Sequence, residues 1–431
     1  MKILRFYGVA AVSLLVAACA KDLVPTDWLW EQTLVNSVDT THTLLPAEDG
    51  IQVFSSDVTG VNLLTQYSWE GALIAETLLP LIEQNIKLTP LSDGSYLSIS
   101  TQQSAIKNFA NLSSSYNPIW KIESADSGPN DRFVHFAMDT DQQYLAVSQL
   151  SYSEIEGGFN EEESLLIIDF SNGNVLKQYL VSDDLDIEHV AVTQSGTVYF
   201  SVSDGSNEGD VLMSVAYDSE YVGYFKLTGV VDALSTIEKD PLFVYRNNGE
   251  KIPLVKLYRF SIFGNDSWDT KLGSGFIAEG IKFEDNMIYL YGNNMLRGVN
   301  AIKLDAAGSI VWDTSLGNSQ QASQLSLDVD SKNNVVLSYL NTDAPVFSTN
   351  GEWTITKNLV HSWLDQDGES TREIIQDSYV EKKDDLIGEP TYVHEGPTTH
   401  LGMLMSEMGQ VVILSDMEGE SNLEKTNIYS Y

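Results

Sequence analysis

Four of the six histidines in this 431-residue chain recur at one point of a repeating pattern. His42, His135, His189 and His400 each immediately precede a strand of alternating apolar residues. Lys87 and Gln324 occupy about the same place in other copies, and Glu279 lies close to it. If these strands ring a common axis, the imidazoles converge at its mouth. Neutral imidazoles near pH 7 would then ligate a divalent metal, with Glu279 as an oxygen ligand. With Lys87 and Gln324 they would instead hold an anionic small ligand. Metal binding would weaken below about pH 6, where protons compete for the ring nitrogens. The competing reading is structural: repeats of common origin place histidines in register whether or not they bind anything.

The elements that position these residues are hairpins of two kinds. The inner kind begins near His42, Lys87, His135, Val190, Leu234, Ile277, Leu325 and His400, with turns such as Asp49-Gly50, Asp93-Gly94 and Ser195-Gly196. The outer kind is an alternating strand, a turn containing Asp or Gly, and a second strand. Leu165 to Leu176, Ala301 to Trp312 and Leu359 to Arg372 are examples. Trp268-Asp-Thr-Lys-Leu-Gly and Trp312-Asp-Thr-Ser-Leu-Gly are nearly identical, and Phe225 and Arg372 fall near the tryptophan's place in other copies. Eight inner hairpins face only seven complete outer ones. The unpaired ends, Asp27 to Leu34 and Leu423 to Tyr431, complete an eighth unit by pairing with each other. The fold expected is therefore all-β: a β-propeller of eight four-stranded blades, seven being the alternative, occupying residues 27–431 and closed by its two terminal strands.

The charge balance is strongly acidic, with 24 Lys+Arg against 61 Asp+Glu for a net charge of -37. Such a surface repels nucleic acid. Disorder is not implied, because 43% of residues are hydrophobic. There is no Gly-x-Ser-x-Gly elbow, phosphate-binding glycine loop or His-Glu-x-x-His pair. Asp139/Asp141 and Asp328/Asp330 offer too few ligands for calcium and read as turn residues. No organic cofactor is expected.

The lone cysteine, Cys19, ends the run Met1-Lys-Ile-Leu-Arg-Phe-Tyr-Gly-Val-Ala-Ala-Val-Ser-Leu-Leu-Val-Ala-Ala-Cys19. Lys2 and Arg5 form a positive start, a short apolar stretch follows, and small residues precede the cysteine. The run is too short and too interrupted for a spanning helix of about 20 residues. It resembles the lipobox of bacterial lipoproteins. That resemblance implies a signal peptide over residues 1–18, a diacylated Cys19 that becomes the first residue of the mature protein, and a lipidated tether over residues 19–26. Ala20 in place of aspartate points to the outer membrane. The hairpin repeats resemble the PQQ-like, Trp-containing β-propeller repeats. A more distant similarity is to the propeller lipoprotein of the β-barrel assembly machinery.

Long connections at residues 341–357 and 376–399 are expected as loops on one face of the ring, beside a third at Ser151 to Ser164. They carry Phe347, Trp353, Tyr379, Tyr392 and His394, residue types suited to a protein partner. The expected function is binding without catalysis: a cell-envelope scaffold, held to the membrane by lipid, that engages an envelope or outer-membrane protein. The alternative is a metal- or ligand-dependent propeller, including a quinoprotein-like enzyme, that uses the histidine-rich mouth.

Overall fold

The computed structural model describes residues 29–430 except 36–39, 48, 58, 80–84, 103–104, 125–130, 156–157, 183, 204–208, 248–253, 262–266, 317–321, 344–345, 348–352, 384–390, 395, 406–409 and 419–424. Cys19 lies outside the described residues. Every regular element is an antiparallel strand, because the sequence alternates with period two between Gly, Asp and Asn turns.

The strands form eight four-stranded blades. Blades 1 to 7 cover residues 41–78, 86–123, 132–180, 186–226, 229–274, 276–316 and 322–394 in order. Blade 8 is split between the termini. Gly396–Met405, Val411–Glu418 and Lys425–Ser430 supply three strands, and Trp30–Val35 adds the fourth outside Lys425–Ser430, from Trp30 opposite Ser430 to Val35 opposite Lys425. Blades 2 and 3 also hydrogen-bond as one sheet at a single Phe133–Ile106 pair.

The core lies between blades. Eight apolar clusters occupy the eight seams, one of them joining Ile51, Val53 and Tyr67 of blade 1 to Val412 and Ile428 of blade 8. That last cluster closes the ring. Middle strands, with blades on both sides, are buried almost throughout: Val299 to Leu304 are all buried in blade 6. Outermost strands face solvent, and Leu73–Leu78 is exposed along its whole length.

The repeated Trp-Asp-Thr has a mechanical explanation. Trp312, on the fourth strand of blade 6, lies flat on Gly368 in the last turn of blade 7, and Trp268 of blade 5 lies likewise on Gly308 of blade 6. A Cβ on either glycine would come within 2.5 Å of the indole, and both glycines have positive φ, 79° and 84°. The threonine two residues on donates its hydroxyl to the same glycine's carbonyl: Thr314 to Gly368 at 2.6 Å and Thr270 to Gly308 at 2.5 Å. Trp120 on Gly173 and Trp30 on Gly71 repeat the indole contact. Blade 7 carries Arg372 at this position. The next blade is the split one, whose third and fourth strands are joined by no turn, so there is no glycine turn to cover; Arg372 lies over Trp363 instead, 4.9 Å from the ring centre.

The connections expected as loops are largely strand. Tyr144–Ile155 pairs with Gly158–Asp169 to the tip, which absorbs the Ser151 to Ser164 segment. In blade 7, Trp353–Leu364 pairs with Ser370–Lys383 up to Trp353 opposite Lys383, Val346–Phe347 adds to its edge at Trp353, and Thr391–His394 pairs with Val380 to Lys382. Residues 341–357 and 376–399 are thus mainly hairpin extensions.

Candidate functional site

Neighbouring strands are antiparallel, so connections alternate between two ends of the ring. One end carries the turns between strands 1 and 2 and between strands 3 and 4; call it the turn face. The other carries the connections between strands 2 and 3 and those entering each first strand; call it the entry face. The recurrent histidines sit within the first strands and not ahead of them, His42 at the entry end of Thr41–Ala47 and the others near mid-strand: His135 in Arg132–Met138, His189 in Asp186–Val192 and His400 in Gly396–Met405. In blades 3, 4 and 8 the register slips beside the histidine, a bulge that leaves local backbone groups to be satisfied by side chains.

Two of these histidines, His135 and His189, serve as blade staples. The His135 ring donates to the carbonyl of Ile187, on the first strand of blade 4. The N–H of Ile187 donates to Glu163 Oε2 of blade 3 at 2.7 Å, so blade 3 grips one residue of blade 4 from both sides. The motif repeats one blade on. His189 Nε2 lies 2.9 Å from the Val231 carbonyl, and the Val231 N–H donates to Asp210 Oδ2 at 2.8 Å. Blade 1 has a neutral version: Thr41 Oγ1 donates to the Ile86 carbonyl at 3.2 Å, and the Ile86 N–H donates to Ser56 Oγ at 3.0 Å. In blade 6, Glu279 accepts the N–H of Leu325, and Asn293 donates to both Glu279 and the Ala322 carbonyl.

His42 is buried, with Nδ1 2.8 Å from Ser55 Oγ, and burial drives its pKa down to about 4. It borders a polar cleft of about 360 Å³ at the 8–1 seam, where Tyr67 is pushed up to about 12 by burial and by Glu76. Burial lowers His135, and the neighbouring His189 adds to this. Burial raises Glu163 to about 7 against the pull of the Ile187 N–H and Ser148. It also raises Asp210, and raises Asp232 despite a two-pronged contact with Arg246 whose shortest arm is 2.8 Å.

The remaining expected residues are dispersed. Lys87 is exposed between buried Ile86 and Leu88, and Gln324 is exposed at the blade 7 bulge. The side chains of His400, His394, Tyr379 and Tyr392 lie outside the described residues; their backbones pair with Ser415, Val380, Lys357 and Glu381. Among the described residues, no group of three His, Cys, Asp or Glu side chains is arranged to hold a metal ion. Asp139 and Asp330 are turn residues: Asp139 accepts the N–H groups of Asp141, Gln143 and Tyr144, and Asp330 those of Lys332 and Asn334. Phe347 and Trp353 meet at 4.9 Å, and Phe347 is 58% exposed.

Sequence reasoning passed over the serines and His361. His42 and His189 stand opposite Ser55 and Ser201 across the strand pair, and Ser148 accepts the His135 N–H. A serine 12 to 15 residues after each recurrent histidine is visible in the sequence. His361, fully buried on a third strand with Nδ1 2.9 Å from Ser338 Oγ, carries no such signal.

No family profile and no curated protein matches this sequence. Among solved structures, the chain is similar to the Dos1 propeller at 10% identity, covering 93% of this chain and 94% of that one with a TM-score of 0.50. It also matches a chain of a nidogen/laminin complex at 11% identity, over 67% and 92% of the two chains with a TM-score of 0.35. The first of these likenesses supports the propeller fold.

Proposed function

We propose that this protein is a lipid-anchored scaffold of the cell envelope that grips a protein partner on its entry face. The observation that carries the reading is the pair of overlong hairpins. Tyr144–Ile155 with Gly158–Asp169 belongs to blade 3, and Trp353–Leu364 with Ser370–Lys383 belongs to blade 7. Four steps apart in a ring of eight, they stand on opposite sides; on the entry face blade 3 extends the closed end of its hairpin, and blade 7 extends the open ends of its pair, Trp353 to Thr356 opposite Val380 to Lys383, with Val346–Phe347 and Thr391–His394 added at the edges. Two ribbons flanking one mouth make a clamp on a rigid base.

The N-terminal strand supports the same orientation. Trp30 begins at the turn face, against Gly71 and with Nε1 donating to the Trp69 carbonyl. Nine residues separate Cys19 from Leu29, at most about 35 Å of chain. A lipid on Cys19 therefore tethers the turn face and presents the clamp away from the bilayer. Ala20, where an aspartate would resemble an inner-membrane retention signal, supports an outer-membrane anchor, and the rim tryptophans support kinship with PQQ-like repeats.

Two experiments test this. Mass spectrometry of the N-terminal peptide should find a diacylglyceryl thioether on Cys19, and an unmodified Cys19 would refute the anchor. Crosslinking in intact cells should capture a stoichiometric envelope protein, and capture should be lost when the extended tips are cut back, residues 153–160 of blade 3 being replaced by a two-residue turn and Thr342 of blade 7 being joined to its partner Lys357 by another. Capture that is indifferent to the tips refutes the clamp.

A further inference from the structure

The blades share one grid of pairings, and blade 4 lacks a side chain at one square of it. In blade 6, Trp312 pairs with Lys303, and Lys303 pairs with Tyr289, two residues from the bulge partner Tyr291. The same square in blade 5 is Trp268, Arg259 and Leu242. In blade 4 it is Gly223, Ser214 and Tyr199. The alignment is functional as well as geometric. The Tyr289 hydroxyl donates to Asn333 Oδ1 at 2.7 Å and the Tyr199 hydroxyl to the Lys239 carbonyl at 3.0 Å, each in the first turn of the following blade. Gly223, and not Phe225, therefore holds the tryptophan's place. Phe225 stands two residues on, packed 5.4 Å from Phe260 of blade 5.

Where blades 5 and 6 seat an indole, blade 4 has a pocket of about 230 Å³ lined by Tyr199, Leu212, Ser214, Gly223, Phe225 and Phe260. Tyr221 and Tyr224 form its rim at 77% and 79% exposure. No lining residue is charged, although the chain carries a net charge of -37. The strand Val222–Lys226 above the pocket is the outermost of its sheet among the described residues.

We infer that this socket seats an aromatic side chain from a partner polypeptide, whose extended segment adds to the Val222–Lys226 edge. The occupant is chosen by the ring itself: the matching squares of blades 5 and 6 hold an indole between a fourth strand and the next blade. Edge pairing supplies the main-chain bonds and the socket supplies the selectivity, the usual division of labour in strand addition. The inference rests on the scaffold reading but uses the outer wall, so it fails or stands separately from the entry-face clamp.

The probe is N-acetyl-5-fluorotryptophanamide, followed by 19F line broadening on the full chain in detergent. Broadening is expected with wild type at millimolar probe. It should vanish in Gly223→Trp combined with Ser214→Ala, which fills the socket from within. The serine is changed because a Cβ on Gly223 would lie 2.5 Å from Ser214 Oγ. Tyr224→Ser, an exposed rim change, should weaken binding several-fold with unchanged melting. Absence of broadening in wild type, its persistence in the filled variant, or displacement of the probe by methyl glucoside at equal concentration each overturns the inference. Entry-face crosslinking reports on the clamp independently of all three results.

Discussion

The seams of blades 5 to 7 carry an indole lock at the rim that those of blades 3 to 5 lack. At the 5–6 and 6–7 seams an indole on the rim covers a glycine turn, and a threonine hydroxyl bonds the same turn. At the 3–4 and 4–5 seams no indole is present: Lys177 reaches the Ser219 carbonyl at one and Phe225 meets Phe260 at the other. Those seams are gripped near the axis, by His135 with Glu163 and by His189 with Asp210, whereas the 6–7 seam has both an indole at the rim and an axial grip of Glu279 and Asn293 on Leu325 and Ala322. The rim lock is apolar and indifferent to pH. The axial staple is ionisable, with a carboxyl held in a desolvated site. Closed rings share their strain around the circle, so a seam weak at one radius can be fastened at the other.

The largest effect should come from removing what both kinds of seam depend on. Deleting residues 425–431 takes the third strand from the split blade and strands Trp30–Val35 without its partner. Cooperative melting of the whole ring should be lost, as read by calorimetry. A retained single transition would mean the ring does not need closure.

Trp312→Ala should destabilise by about 3–5 kcal/mol, the range for emptying a buried aromatic site, whereas Lys177→Ala at the matching rim position of the 3–4 seam should cost under about 1 kcal/mol. Equal losses in denaturant titrations would erase the contrast between seams with and without a rim lock.

Glu163→Gln keeps an acceptor for the Ile187 N–H and removes the buried charge. Its native pKa of about 7 lies above the usual carboxyl value near 4.5. The native state therefore holds the extra proton, and this group's contribution to stability declines as pH rises from about 4.5 through 7. The variant should be more stable than wild type at pH 8, by about 1 kcal/mol after allowance for screening, with little difference at pH 4.5. A variant less stable than wild type at pH 8 would show the charge to be favourable.

The smallest effect is the mirror image in blade 1. His42, lowered to about 4 from 6.5, is neutral when folded, so its stabilisation is present above about pH 6.5 and is lost as pH falls toward 4. Substituting His42→Asn should flatten that acid limb of the melting profile while leaving the neutral-pH value within about 1 kcal/mol. An unchanged acid limb would place its cause elsewhere.

Much of this architecture was legible before any coordinates. Alternation and turn residues mark each hairpin locally, and the shortfall of one outer hairpin called for terminal pairing. Trp30–Val35 does lie beside Lys425–Ser430. The candidate site was legible only as a pattern. The sequence placed His135 and His189 in register, but their ring partners lie at Ile187 and Val231, 52 and 42 residues away.

By itself, then, the sequence determined the strand period, the repeat, the acidic surface and the closing arithmetic, because these depend on neighbours a few residues apart. Only the tertiary structure decided that His135 and His189 staple while His42 bonds a serine of its own blade, that the described parts of residues 341–357 and 376–399 are mostly strand, and that Gly223 rather than Phe225 stands in the tryptophan's place. Each of those depends on register between strands or on contact between consecutive blades. One residue of slip moves a side chain to the other face of its strand.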